Sequence, residues 1–160
     1  MEEKYIVSIV GQQIVNGSPD EVKLITLGSY NTRGNKKFIS YYEYNDEDPS
    51  IKTKSTLTIE DNNLITLTKK GSSKSQLILE AGKRHLSQYD TEFGAMTIGV
   101  FTKHIDINLS PIGGSVFADY TIDINSHITS LNKIYVQIKE ATQEDVKNHS
   151  EIERWTHKWS

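Results

Sequence analysis

The sequence contains no cysteine, and this absence excludes disulfide bonds, thiolate metal sites and a thiol nucleophile. It fits a chain that works in a reducing compartment. Long apolar runs are absent as well, because no segment approaches the roughly 20 apolar residues of a membrane-spanning helix. The acidic start over residues 1–5 lacks the basic, apolar and small-residue regions of a signal peptide. We therefore expect a cytoplasmic protein without a membrane partner.

An excess of one charge is also missing, since 18 basic residues face 21 acidic ones and the net charge is −3. Such a balance gives no electrostatic footprint for nucleic acid, so no nucleic-acid partner is expected. The sequence shows neither a glycine-rich phosphate loop nor a nucleophile elbow. Its histidines are scattered and form no pair at metal-ligand spacing: His85, His104, His127, His149 and His157. We expect no metal and no cofactor, and no catalytic residue can be named.

The residues that are present form short strand-like runs separated by turn signals. The first two strands are predicted over residues 5–14 and 22–32, with a turn over 16–20 between them that contains Asn-Gly and a proline. A third strand, rich in aromatic residues, is predicted over 37–44. The following segments alternate apolar and polar residues, which is typical of half-buried strands.

A long strand over residues 95–109 changes the parity of its apolar residues. Those in its first half have even numbers and those in its second half have odd numbers: Met96, Ile98, Val100, then Ile105, Ile107, Leu109. Because side chains alternate between faces along a strand, both sets can lie inside only if one residue slips the register. We predict a β-bulge or a sharp bend near residues 101–104.

The whole pattern predicts an all-β fold of roughly eight to ten antiparallel strands, either a barrel or a sandwich. We favour a closed barrel over residues 1–141, because closure removes exposed edges. Residues 142–160 are predicted to form a short amphipathic helical tail with Trp155 and Trp159 on one face. That face could pack on the barrel or dock on a second subunit.

Several segments, in their order along the chain, resemble the YwiB-like family of small bacterial proteins. They are residues 38–43 (FISYYE), 54–59 (KSTLTI), 67–71 (LTKKG), 89–94 (YDTEFG) and 118–122 (ADYTI). The resemblance covers about residues 5–141. It implies a calycin-like barrel, the fold of lipocalins and fatty-acid-binding proteins, and an unassigned function. It implies no catalytic residue.

Tyr41 and Glu43 lie two residues apart on the predicted third strand and share a face. If that face is interior, Glu43 is a buried carboxylate that needs a partner such as Lys69 or Arg33, and it could orient a ligand. In the alternative, the interior face is formed by Phe38, Ser40, Tyr42 and Tyr44. Glu43 then faces water at the strand end, and this is the arrangement that we favour from the sequence.

Tyr89, Thr91 and Gly94 form the most distinctive motif. Tyr89 and Thr91 could provide polar contacts at a barrel mouth, where small-molecule sites gather their few polar groups. We favour a structural interpretation, a turn in which Gly94 supplies backbone freedom and Thr91 bonds the local backbone. Tyr120 is predicted to point inward, either as part of the core or as part of a pocket lining.

Three functions are compatible with these residues. The leading hypothesis is a non-enzymatic binding protein whose barrel holds a small, partly apolar ligand, with Tyr41, Glu43, Lys69 and Tyr120 among the candidate contacts. The second is a homodimeric interaction module that uses a barrel edge or the tail. The third is a cofactor-free enzyme with Glu43 as a carboxylate in the cavity.

Overall fold

The computed structural model describes residues 4–44, 47–48, 50–71, 74–91 and 93–147, with the backbone alone for 89–91. Within these ranges the chain is almost entirely β-strand. The elements, in chain order, are β1 (Tyr5–Val15), β2 (Ser18–Arg33), β3 (Lys36–Tyr44), β4 (Lys52–Glu60), β5 (Leu64–Lys70), β6 (Lys74–Glu80), β7 (Arg84–Thr91), β8 (Gly94–Ser110), β9 (Gly113–Ile124), β10 (His127–Glu140) and α1 (Gln143–Lys147). The prediction of an all-β fold with eight to ten strands is confirmed.

Each strand pairs antiparallel with the next, and β1 also pairs with β10, so the sheet closes into a barrel. The prediction of a closed antiparallel barrel is therefore confirmed. The seam between β6 and β7 is its weakest place, since Ser75 and Tyr89 are the one register pair described there. Beyond this seam the connecting turn is tied to β8, where the Gly82 N–H donates to the Thr102 carbonyl at 2.8 Å.

The register slip predicted in the long strand is confirmed. β8 pairs with β9 through Thr102 and then through His104, so Lys103 is an extra residue in the ladder. The bulge exchanges the two faces of β8. Val100 is fully buried before it, and Ile105 packs against the same core after it.

The first hairpin is tighter than predicted. β1 and β2 meet at a turn formed by Asn16 and Gly17, which have positive φ angles of 52° and 76°, as a type I′ turn requires. Pro19 therefore lies in β2 opposite Ile14, and the prediction that the strand begins at Val22 is wrong. The position is tolerated because a missing N–H has little effect at the start of a strand.

The core occupies the barrel interior and is mainly aliphatic. Its largest fully buried aliphatic side chains are Ile39, Leu57, Ile65, Val7, Val100, Val116 and Val136. Each comes from a different strand. Because side chains alternate along a strand, the residues next to them in sequence face outward. The end of the barrel at which β1, β3, β5, β7 and β9 terminate is here called the mouth. The interior is partly open there.

The chain leaves the barrel at the end opposite the mouth, where the Ala141 N–H donates to the Lys4 carbonyl at 2.8 Å. The Thr142 hydroxyl accepts the Asp145 N–H at 3.1 Å, and the Thr142 N–H donates to the Asp145 carboxylate at 2.8 Å. This reciprocal pair caps α1. The remainder of the predicted tail helix, with both tryptophans, lies outside the described residues. In the described part of the chain, no helix is long and apolar enough to span a bilayer.

Gly28 lies where β2 and its neighbours approach too closely for a side chain. A Cβ atom there would overlap the carbonyl oxygen of Ser40 and would lie 2.8 Å from Val7 Cγ2. We expect Gly28→Ala to lower the free energy of unfolding by about 1–3 kcal/mol, because backbone and core must shift. Gly11→Ala is the matched control, since no atom lies within 4 Å of its added methyl group. Urea denaturation that gives equal stabilities for the two variants would contradict this.

Arg84 and Asp123 form an ion pair on the outer surface, with Nε–Oδ2 and Nη2–Oδ1 distances of 2.9 and 2.7 Å. The guanidinium holds the pKa of Asp123 below its ordinary value of 3.8. The resulting stability is complete above that value and is lost as the pH falls through the lower pKa of the folded state. We expect the free energy of unfolding to fall less steeply with decreasing pH, below about pH 4, in Asp123→Asn and in Arg84→Gln than in the wild type. Denaturation at a series of pH values tests this, and wild-type slopes in both variants would refute it.

Candidate functional site

A cavity of about 490 Å³ opens at the mouth of the barrel. Most of its wall is apolar: Val15, Leu67, Leu77, Met96, Ile98, Ile122, Ile124 and Ile134. The polar part consists of Gln13, Lys69, Ser75, Tyr120, Thr129, Ser130 and Asn132. Among the described residues of this wall, Lys69 is the one with a charged side chain.

The orientation of β3 differs from the one that we favoured. Ile39 and Tyr41 belong to the buried core, with exposed fractions of 0% and 3%, so Glu43 shares the interior face. The prediction of an inward face formed by Phe38, Ser40, Tyr42 and Tyr44 is wrong. The sequence misled because β3 carries aromatic rings on both faces, and Tyr42 stacks outside under the Lys52 ammonium, 4.4 Å from its ring centroid.

Strand register brings the polar residues of β3 to β6 into one row. Tyr41 lies opposite Ser55, Ser55 lies opposite Lys69, and Lys69 lies opposite Ser75. Residues directly opposite one another in antiparallel strands project from the same face of the sheet. The row therefore crosses the interior wall near the mouth.

Glu43 joins this row through a hydrogen bond and an ion pair. The fully buried Ser55 hydroxyl donates to Glu43 Oε2 at 2.9 Å, and Lys69 Nζ lies 3.4 Å from the same oxygen. The side chains of Glu43 and Lys69 are 36% and 40% exposed, so the ion pair itself adds little stability. Its effect is positional, because it holds an ammonium group with three N–H donors at the cavity wall.

Tyr41 is the buried end of this cluster. Burial raises the pKa of Tyr41 well above its usual range and the charge of Glu43 raises it further, whereas the hydrogen bond with Ser55 opposes them. The phenol is therefore neutral at physiological pH. Ser55, whose hydroxyl donates to Glu43, lies between the phenol and the carboxylate.

A second polar row lies on β8, β9 and β10. Thr102, Tyr120 and Asn132 are successive register partners. Asn132 Nδ2 donates to Ser130 Oγ at 2.9 Å, and both residues are more than nine-tenths buried. Tyr120 points inward as its parity predicts, and it lines the cavity.

The motif around Tyr89 forms the hairpin between β7 and β8. Tyr89 lies opposite Met96 and Thr91 lies opposite Gly94. Gly94 has a φ angle of 111°, in agreement with the backbone freedom that the structural interpretation gave it. The side chains of Tyr89 and Thr91 lie outside the description, so their suggested ligand contacts stay predictions.

Ser87 is a candidate residue that sequence reasoning missed. It lies on β7 opposite Ile98, which lines the cavity, and it is 7% exposed. Across the described ranges, Ser87 Oγ and Thr102 Oγ1 are the two buried side-chain oxygens without a hydrogen-bond partner. Such groups are uncommon in folded proteins and call for an explanation. No sequence signal identified Ser87, because β7 places it inside and the exposed Leu86 outside.

A larger groove of about 660 Å³ lies mainly on the outer surface of the barrel. Its charged residues have both signs: Lys103, Lys133, Asp20, Glu21 and Asp119. Glu21 already accepts a hydrogen bond from Gln12 and pairs with Lys23. The groove therefore carries charges of both signs, some of which already have partners. The interior cavity instead combines an apolar wall with convergent polar groups.

The polar groups of the cavity can donate and accept hydrogen bonds around a bound molecule. In the part of the chain that the structure describes, no group of three or more histidine, aspartate or glutamate residues could hold a metal ion. The Glu43 carboxylate is engaged by Ser55 and Lys69. Lys69 is held at the cavity wall by the Glu43 carboxylate.

Comparison with known proteins gives a family and a fold. Residues 7–136 match the model of a family described as a domain of unknown function, DUF1934. The crystal structure of the YwiB protein from Bacillus subtilis is similar over 88% of this chain and 93% of that chain, with a TM-score of 0.75 and 19% identity. At that identity the likeness concerns the fold alone. None of the curated proteins matches the chain.

The Tyr41–Ser55–Glu43 cluster gives a testable stability effect. We expect Ser55→Ala to lower the free energy of unfolding by about 1–3 kcal/mol, because it removes a buried hydroxyl that bonds Glu43 and interacts with the Tyr41 hydroxyl. In a Tyr41→Phe background the tyrosine hydroxyl is absent, so Ser55→Ala should lower the free energy of unfolding by a smaller amount. Urea denaturation of the four proteins of this double-mutant cycle measures the coupling. Equal losses in both backgrounds would show that Ser55 does not serve Tyr41.

Proposed function

Since the chain belongs to the YwiB-like family DUF1934, whose description assigns no function, we propose its function from the cavity at the barrel mouth. The proposal is a non-enzymatic binding protein for a small, partly apolar ligand. The observation that carries it is the cavity itself, about 490 Å³ of space inside the barrel. Ligand pockets usually measure about 300–1,000 Å³ and have mostly apolar walls.

The polar groups of the wall suggest how a ligand is oriented. Lys69 offers N–H donors at the mouth, held there by Glu43. Tyr120 and Asn132 lie on the other polar row of the same wall. A molecule with an apolar body and an acceptor group, such as a carboxylate or a carbonyl, matches this distribution, because its polar group can meet Lys69 while its body displaces water from aliphatic side chains.

The two other functions have weaker support. An enzyme that uses Glu43 needs a carboxylate able to exchange protons with a substrate, but this carboxylate already accepts from Ser55 and contacts Lys69. A homodimer that uses a barrel edge needs a free edge strand, and the closed strand order leaves the weakly paired seam between β6 and β7 as the place for one. The dimer that uses the tail depends on residues outside the described ranges.

Filling the cavity should abolish binding. The probe is 8-anilinonaphthalene-1-sulfonate, whose aromatic rings and sulfonate match an apolar cavity with Lys69 at its mouth. We expect saturable fluorescence enhancement with the wild type and at least about tenfold weaker binding by Met96→Trp, whose indole would occupy the cavity. Thr97→Trp is the matched control, because Thr97 is the next residue of β8 and is exposed on the outer face. Circular dichroism verifies that both variants are folded. Equal affinity for the probe in both would refute the proposal.

A further inference from the structure

The Ser87 hydroxyl is a buried polar group without a hydrogen-bond partner among the described residues. Leaving such a group unpaired is unfavourable, because folding removes it from water and returns nothing. Native chains retain these groups rarely, and alanine would fit the same place without the penalty. The Ser87 hydroxyl therefore calls for an explanation other than the stability of the barrel.

The position of Ser87 connects it to the cavity. Its register partner Ile98 lines the cavity, and Leu77 lines it from β6. β6 and β7 form one described register pair, Ser75 with Tyr89, and continuing that register places Leu77 opposite Ser87. The hydroxyl thus belongs to the interior row between two residues of the cavity wall. It lies at the seam, where the ladder of hydrogen bonds is interrupted.

Ser87 lies deeper than Lys69. Lys69 and Ser75 share the row nearest the mouth, and Ser87 is one interior row farther from it. Strand spacing and rise place the Cα atoms of Lys69 and Ser87 about 12 Å apart. Between them the wall is aliphatic, formed by Leu67 and Leu77. The interior face therefore carries a polar group on each side of an apolar stretch, Lys69 in the cavity wall and Ser87 buried beside that wall.

We propose that the Ser87 hydroxyl is a second hydrogen-bonding point of the cavity. The ligand is then an elongated amphipathic molecule with an anionic or acceptor group at Lys69 and a hydroxyl or carbonyl group at its far end, bonded to Ser87. This inference rests on the proposed ligand-binding function and adds the chemistry of the ligand's inner end.

The first test measures thermal stability without ligand. Ser87→Ala should keep or raise the melting temperature, because it removes an unpaired hydroxyl. Ser55→Ala, which removes a bonded hydroxyl from another buried serine, should lower it. If Ser87→Ala lowers the melting temperature as much as Ser55→Ala, then the Ser87 hydroxyl is satisfied within the ligand-free protein and the proposal is overturned.

The second test compares octanoate with 8-hydroxyoctanoate, which differ by a hydroxyl at the inner end, by isothermal titration calorimetry. The wild type should bind the hydroxylated probe about three- to tenfold more tightly, the gain of one buried hydrogen bond. Ser87→Ala should lose or reverse this preference while it still binds octanoate. Ser87→Thr, which retains a hydroxyl, should keep the preference, and so should Ser8→Ala on the outer face of β1.

The outcomes separate the two proposals. Failure of the wild type to bind either probe or 8-anilinonaphthalene-1-sulfonate counts against the ligand-binding function itself. Binding of octanoate without a preference for the hydroxylated probe, or a preference that survives in Ser87→Ala, overturns the role of Ser87 and leaves the ligand-binding function standing.

Discussion

The register of β8 decides which side chains face the inside of one wall of the barrel. A regular strand of 17 residues would keep a single parity inside, and the aliphatic residues of its second half would then face water. The extra residue at Lys103 exchanges the faces. It lets Ile105 join the core while Thr102 stays opposite Tyr120. One bulged residue therefore lets both halves of β8 contribute interior side chains.

Polar groups buried inside a barrel cost free energy unless they find hydrogen-bond partners. Ser55 and Ser130 are bonded to neighbouring side chains, and these bonds order the wall. Ser87 and Thr102 are buried without such bonds among the described residues. The first pair stabilises the barrel. The second pair has hydrogen-bonding capacity that the described residues do not use.

Much of the fold could be predicted from the sequence, because most strands alternate aliphatic and polar residues and because short turns leave antiparallel pairing as the simple solution. The parity change in β8 even located the bulge. Two strands were not predicted correctly, for opposite reasons. The inner face of β3 was assigned wrongly, and no inward residue was predicted on β7. β3 has large amphipathic rings on both faces, so its inner face is ambiguous, and β7 reverses the usual pattern with Leu86 outside and Ser87 inside. Periodicity carries no information where both faces, or the wrong face, are apolar.

The candidate site was harder to predict than the fold because it depends on register between strands and on where polarity changes along them. On the interior face, three strands change from aliphatic to polar towards the mouth: Leu67 to Lys69 on β5, Leu77 to Ser75 on β6, and Ile134 to Asn132 on β10. In the sequence alone, each change from an aliphatic to a polar residue resembles the ordinary end of a strand. Closure of the barrel brings these ends around one opening, and Lys69 meets Glu43 there because both are aligned through β4. The wall near the mouth therefore combines polar residues of β5, β6 and β10 with aliphatic residues of β1 and β9: Val15, Ile122 and Ile124.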